Sequence, residues 1–282
     1  MTDRVFLITG ATDGIGKATA LALAESGAVV ILHGRDPDKT ARVVAEIQSA
    51  TANSKLHTVI ADFASLDQVA ALAEHIWHEF GQLDVLINNA GQINDRRLTS
   101  QDGFELTFAV NYLAPFLLTQ KLLPVLQTNA PARIVNVASS AMGGGTIDFD
   151  DLQSERGFDG WQAYANTKLA NVLFSNVLAE QLTGTGVVSN SLCPGLIDTN
   201  LLKNRTIFPA DTYEYIRLRV RPAEEGAQVP LHLATAAETA DVTGQFFLRD
   251  GDQGGRAVSL AWDRETAAAL WARSGELLAN WL

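Results

Sequence analysis

Short apolar runs at residues 5–8, 29–32, 56–60, 85–87, 134–137 and 187–192 alternate with longer segments in which apolar positions recur three or four residues apart. Apolar runs without polar alternation are strands buried on both faces, and the longer segments, 17–26, 38–50, 67–80, 103–126 and 164–182, are amphipathic helices. Parallel strands need long crossovers, and these pack helices on both sides of a sheet with one hand. The pattern therefore predicts an α/β fold, a doubly wound parallel sheet with ligands at the carboxyl ends of its strands. A further run at 245–248 adds a strand. A closing helix from about 263 to 281 carries Leu270, Trp271, Leu277, Leu278 and Trp281, more apolar surface than a solvated tail would hold, so core packing or a subunit contact is expected of it. No fixed-period repeat and no Pro/Ser-rich linker divides the chain, so 1–282 is expected to be a single domain.

Charge narrows the function. With 21 Lys+Arg against 32 Asp+Glu the formal charge is −11, which repels phosphate backbones and anionic lipid, so neither nucleic acid nor a membrane surface is an expected partner. The single cysteine, Cys193, leaves no disulfide and no thiolate cluster, and His75 and His78, one turn apart, lack a third ligand, so no metal site is expected. The run at 5–8 is too short for a signal segment or a membrane span, and a cytoplasmic protein is expected.

After the first strand the chain reads Thr9-Gly10-Ala11-Thr12-Asp13-Gly14-Ile15-Gly16 and opens into a helix. Glycines let a backbone turn sharply and approach a pyrophosphate, whose charge is met by N–H groups at the helix start, so this loop at the first strand makes the fold Rossmann-like and assigns Gly10, Thr12, Asp13, Gly14, Ile15 and Gly16 to a dinucleotide. The spacing is Gly-x-x-x-Gly-x-Gly rather than the general Gly-x-Gly-x-x-Gly. The second strand ends at His33-Gly34-Arg35. An acid there reads the ribose of NAD and a cation reads the 2′-phosphate of NADP, so Arg35 favours NADP while the nearby Asp36 and Asp13 keep NAD open.

Three further signatures follow in order: Asn88-Asn89-Ala90-Gly91 after the fourth strand with Asn111 beyond it, Ser139-Ser140 after the fifth, and Tyr164-x-x-x-Lys168. With them the chain resembles the short-chain dehydrogenases/reductases from Val5 to about Gly251. It is most similar to their retinol-dehydrogenase-like branch, through Gly14-Ile15-Gly16-Lys17, Asp151-Leu152-Gln153-Ser154-Glu155 and the run from Lys168 to Phe174. The resemblance implies that Asp62 and Phe63 lie near the adenine, that Asn89, Ala90 and Gly91 line the cofactor cleft, and that Pro194, Gly195, Ile197 and Thr199 wrap the nicotinamide. It also implies a catalytic set of Asn111, Ser140, Tyr164 and Lys168, with Ser140 preferred over Ser139, a substrate lid over about 200–222, and a homo-oligomer built on the helices 103–126 and 164–182.

The chemistry of these residues agrees with that implication. A hydride moving between a nicotinamide and a carbonyl carbon must be matched by a proton at the oxygen, so one acid/base is needed. Tyr164 is that group, and Lys168, one turn later on the same face, is expected to lower the phenol pKa and hold the ribose hydroxyls. Ser140 would bind the developing alkoxide, and Asn111 would hold a water linking Lys168 to solvent. The lid is rich in apolar side chains, so the expected partner is a small apolar carbonyl or alcohol. Its basic residues Lys203, Arg205, Arg217, Arg219 and Arg221 are read as solvated. The function expected is an NADP(H)-dependent carbonyl reductase or alcohol dehydrogenase. The alternatives are an NAD-dependent alcohol dehydrogenase and a non-catalytic dinucleotide sensor.

Overall fold

The computed structural model describes residues 4–204, 206–251 and 254–282. Among them, one sheet runs through β1 (Val5–Ile8), β2 (Val29–Gly34), β3 (Leu56–Ile60), β4 (Val85–Asn88), β5 (Ala132–Val137), β6 (Val187–Cys193), β7 (Phe246–Arg249) and β8 (Gly255–Val258). The strand order is β3-β2-β1-β4-β5-β6-β7-β8. All neighbours up to β7 pair in parallel, as the apolar runs predict, and β1, β4 and β5 are buried along their whole length. β8 is an addition: it returns antiparallel on β7, matching Phe246 with Val258 and Arg249 with Gly255. Its sequence, Gly-Arg-Ala-Val, carries no apolar run, because a half-exposed edge strand needs none.

The helices are α1 (Gly14–Glu25), α2 (Pro37–Thr51), α3 (Leu66–Phe80), α4 (Leu106–Phe108), α5 (Ala114–Thr128), α6 (Gly160–Gln181), α7 (Ala210–Arg217), α8 (Ala223–Thr235) and α9 (Arg264–Leu277). Caps set several of the starts. Asp36 accepts from the Lys39 N–H at 2.9 Å with Pro37 in the first turn of α2, and Asp159 accepts from the Gln162 N–H at 2.8 Å, which moves the start of α6 four residues ahead of the expected one. The expected helix at 103–126 is broken: Gly103 has φ +87°, α4 is a single turn, and a π-turn at Ala109–Leu113 separates it from α5. α8 is a further addition, formed although Gly226 and Pro230 oppose a helix. Tertiary packing decides it, along α1 and the sheet, and so closely that a Cβ at Gly226 would stand 2.8 Å from Ile197 Cγ1 and 2.9 Å from Ile15 Cγ1.

α1, α2 and α8 cover one face of the sheet, and α3, α5, α6 and α9 the other. The closing helix is core packing. Trp271 stacks on Phe174 at 5.7 Å and meets Phe116 at 4.9 Å, and Ser274 hydrogen-bonds the Tyr112 hydroxyl at 2.8 Å. Trp281 Nε1 then ties the end of the chain to Asp67 at 2.7 Å. α9 thus lies over the outer faces of α5 and α6, and fifteen of the 22 residues of α6 are buried. No helix among the described residues is long and apolar enough to cross a membrane.

From β1 the chain winds outward to β2 and β3, then returns to β4 on the other side of β1. That reversal opens a crevice at the carboxyl ends of β1 and β4, where α/β sheets of this kind bind ligands.

Candidate active site

The crevice is a cleft of about 400 Å³. Its floor is stitched from the glycine loop and the turn after β4. Thr9 Oγ1 accepts from the N–H groups of Asn89 (2.9 Å) and Ala90 (3.0 Å), and Asn89 Nδ2 donates to the Thr9 carbonyl at 2.8 Å and to that of Gly10 at 3.2 Å. Glycine is obligatory at two of these positions. A Cβ at Gly16 would lie 2.3 Å from the Gly10 carbonyl oxygen, and Gly10, at φ +65°, would drive a Cβ to 2.9 Å from Ala90 Cα. Asp13 caps α1 by accepting from the Gly14 N–H at 2.8 Å, and its other oxygen meets Lys39 at 3.2 Å and the amide of Asn200. The glycine loop is thereby tied to the segment after β6.

His33 is the residue that sequence reasoning passed over here. Its Nδ1 accepts from the Gly10 N–H at 3.1 Å, so its Nε2 carries the proton and donates to the Ala61 carbonyl at 2.9 Å. The ring also stacks on Phe63 at 4.4 Å. Burial pushes its pKa down to about 4, so the imidazole stays neutral and keeps accepting at physiological pH. One side chain thus fixes the ends of β1, β2 and β3 together.

At the rim beyond β2, Gly34 cannot carry a side chain. A Cβ there would sit 2.2 Å from Thr40 Oγ1 and 2.6 Å from Thr12 Cγ2. Arg35 lines the cleft, whereas Asp36 does not, its carboxylate being engaged as the cap of α2. Asp62, Phe63, Asn89, Ala90 and Gly91 line the cleft, as do Pro194, Gly195, Ile197 and Thr199, and Gly10, Thr12, Asp13, Gly14, Ile15 and Gly16 form its loop end. The residues present therefore fit a dinucleotide: glycine backbone at both contact turns, a helix N-terminus, and a cation at the adenosine end.

At the opposite end stand Tyr164 and Lys168, one turn apart on α6 and nearly inaccessible. Lys168 Nζ donates to the Val137 carbonyl at 2.9 Å and lies 5.4 Å from the centre of the Tyr164 ring. Burial raises the phenol pKa to about 12, opposed by a hydrogen bond with Ser139, and burial lowers the ammonium to about 8. The phenol is thus shifted up rather than down as expected, burial being the largest cause, while the amine is held by the β5 backbone.

The serine is corrected by one position. Ser139 continues the extended course of β5 (φ −166°), accepts from the Ala141 N–H at 3.1 Å as cap of the turn Ser140–Gly144, and lines the cleft beside Tyr164. Ser140 begins that turn and is exposed. Along an extended chain neighbouring side chains point to opposite sides, so only one of the pair can face the cleft. Asn111 lies close to Lys168, its Oδ1 and the Lys168 Nζ standing 3.5 and 3.6 Å from where a Cβ of Gly91 would be. It stands in the π-turn, where Oδ1 accepts from the Gln92 N–H and Nδ2 donates to the Gln92 carbonyl, both at 2.8 Å, and to Thr167 Oγ1 at 3.2 Å. Its side chain pins the backbone after Gly91 and docks it on α6.

In the lid region, Asn200, Leu201, Leu202 and Phe208 line the cleft, while Tyr215 and Leu218 face outward. Arg205 lies outside the described residues. The segment 143–160 between β5 and the body of α6 does not line the cleft. It packs on α6 through Gln162 and Asn166, and its far end is tied to Arg97 and Glu105 by Gln153. Trp161, just after it, does line the cleft.

Known proteins give the same picture. The family model described as short chain dehydrogenase matches residues 4–208. Retinol dehydrogenase 13 of Homo sapiens is 41% identical over 98% of this chain and 84% of its own. An uncharacterised protein from Mycobacterium paratuberculosis superposes with a TM-score of 0.77 at 31% identity, over 98% of this chain and 93% of that one. The Pseudomonas aeruginosa RhlG/NADP active-site complex does so at 0.71 and 27% identity, over 89% and 96%. The chain belongs to the short-chain dehydrogenases/reductases, in their retinol-dehydrogenase-like branch, and is an NAD(P)-dependent oxidoreductase of the class that interconverts alcohols and carbonyl compounds.

Proposed function

We propose that the protein is an NADP(H)-dependent reductase of an apolar ketone or aldehyde, with Tyr164 as its proton donor. The observation that carries this reading is the meeting of Tyr164, Ser139 and Lys168 at one end of a cleft whose other end is a glycine loop beside Arg35. A bound nicotinamide dinucleotide supplies the hydride. Tyr164, with a pKa near 12, is a fully protonated donor at neutral pH and passes its Oη proton to the substrate oxygen. Ser139 Oγ, fixed by the Ala141 N–H, turns its own hydrogen to the same oxygen as negative charge develops there. Lys168, 5.4 Å from the tyrosine ring, compensates the phenolate left behind. The aliphatic and aromatic side chains around Tyr164 keep water from the reacting carbonyl.

The preference for NADP rests on three neighbours: Gly34 has no room for an acid, Asp36 is spent on α2, and Arg35 faces the adenosine end. Arg35→Ala should weaken NADPH binding by more than about tenfold, the value of a charge-assisted phosphate contact, and leave NADH within about twofold. Fluorescence titration of both cofactors measures this, and tighter NADH binding by the unmodified protein would make it an NAD enzyme. Tyr164→Phe should bind NADPH and turn nothing over. Failure of the unmodified protein to oxidise NADPH with any apolar carbonyl would restore the sensor alternative. Reduction in the cytoplasm is part of the same proposal, on the acidic charge and the absence of a spanning helix among the described residues.

A further inference from the structure

Trp161 takes no part in the proton chemistry, yet it is the one large apolar side chain of the described structure that both lines the cleft and remains exposed, at 45%. Helix geometry puts it there. α6 begins at Gly160, so residue 161 stands one turn before Tyr164 on the same face and overhangs the mouth of the site. Its indole lies 5.8 Å from the Tyr164 ring, tilted by 31°, and 5.8 Å from the ring of Phe208, which meets it edge-on at 82°. Phe208 is buried and braces the indole from the lid side. Next to it Ile207 is seated on Gly160, where a Cβ would stand 2.8 Å from Ile207 Cδ1.

A tryptophan held in this way, with much of its surface uncovered beside the proton donor, presents a platform for another flat π-system. The remaining apolar side chains at this end, Leu196, Leu201 and Leu202, are aliphatic and set only the width of the opening. Among the described residues of 200–222 no Lys or Arg lines the cleft, and Arg217 is paired with Glu214 while Arg219 lies over Tyr215, so an anionic tail finds no partner there. We propose that Trp161 is the specificity-determining residue of the substrate end, stacking flat conjugated carbonyl compounds such as aryl aldehydes and aryl ketones and passing over saturated ones of the same size. The inference rests on the carbonyl-reducing reading of the cleft.

Benzaldehyde and cyclohexanecarbaldehyde share a carbon skeleton and differ in flatness, so the ratio of their kcat/KM values with NADPH tests the assignment. Comparing that ratio between proteins cancels the intrinsic reactivity of each aldehyde. Trp161→Leu should lower the aryl-to-cyclohexyl ratio by about 3- to 10-fold, the size of an aromatic pair beyond its buried area, and Trp161→Phe should keep most of it. NADPH affinity, measured in parallel, should be unchanged in both. Equal losses on the two aldehydes, with the ratio unmoved, would overturn the assignment. Should the unmodified protein reduce neither aldehyde, the reductase reading fails separately, and the dissociation constants of benzyl alcohol and cyclohexylmethanol from the NADP-loaded protein still decide. An aryl preference that disappears in Trp161→Leu supports the role, and equal constants in the unmodified protein refute it.

Discussion

Lys168 is held charged at neutral pH in a place that disfavours charge, and this can be measured as stability. Burial brings its pKa to about 8 from 10.5. Such a depression withholds roughly 3 kcal/mol from the folded state at neutral pH. The unfolded chain keeps this proton up to its ordinary pKa while the folded chain releases it earlier, so in that window the unfolded state binds more protons and stability rises with pH. Integrating between pH 7 and 9.5 returns about 2 kcal/mol of it. Lys168→Met keeps the length of the side chain and cannot titrate, so the stability of the unmodified protein relative to the variant should climb by about 2 kcal/mol over that interval. The variant also strands the Val137 carbonyl, now bonded at 2.9 Å, at a cost of about 1–3 kcal/mol. A stranded carbonyl does not titrate, so this cost is constant with pH and offsets part of what the variant gains at pH 7. Urea unfolding of both proteins by circular dichroism at several pH values, with equal m-values, reads the difference. A difference flat to within about 0.5 kcal/mol would refute the burial argument. The variant should also have no turnover, since the compensating charge for Tyr164 is gone.

The same two pKa values fix the sign of the pH profile: kcat/KM for carbonyl reduction should fall above about 8, as Lys168 loses its charge, while Tyr164 holds its proton to about 12. A limb beyond about pH 10 would assign it to the tyrosine instead. Ser139→Ala should lower kcat by about 10²- to 10³-fold and Ser140→Ala by less than twofold, with the reverse order restoring the Ser140 assignment. Gly16→Ala should abolish NADPH binding or folding, because its methyl has the Gly10 carbonyl oxygen at 2.3 Å and Asn89 Nδ2 at 2.5 Å, and wild-type cofactor affinity would contradict that geometry. Trp271→Ala should cost about 2 kcal/mol by removing the half-buried ring that packs on both Phe116 and Phe174, read as a drop in the urea midpoint.

What could be read from the sequence was whatever a residue needs from its immediate neighbours in the chain. Gly10 and Gly16 are required by a turn spanning a few residues, the buried strands by their own runs of Val, Ile and Leu, and the Tyr164–Lys168 pair by one turn of helix. What could not be read depends on contacts made across the fold. His33 becomes a clamp only when β1 and β3 lie on either side of β2, and nothing in His33-Gly34-Arg35 distinguishes a clamp from a surface histidine. The choice between Ser139 and Ser140 turns on where β5 stops being extended, a one-residue question set by the turn that Ser139 caps. α8 forms despite Gly226 and Pro230 because it packs along α1 and on the sheet, contacts made across the fold.

The direction of the tyrosine shift is the most instructive of these. A cation one turn away suggests a lowered phenol pKa, and that inference assumes that the charge is near the oxygen and that water is present to both. In the fold both groups are buried, the amine donates to the Val137 carbonyl, and the same burial that raises Tyr164 lowers Lys168. Without a cofactor the phenol is thus a ready proton donor and a reluctant base. Alcohol oxidation would need a further positive charge beside Tyr164 to bring the phenol down, and the oxidised, positively charged nicotinamide meets that requirement where the reduced one does not. The phenol should therefore titrate lower with the oxidised cofactor bound than with the reduced one, and the pH dependence of the two directions should differ for that reason alone.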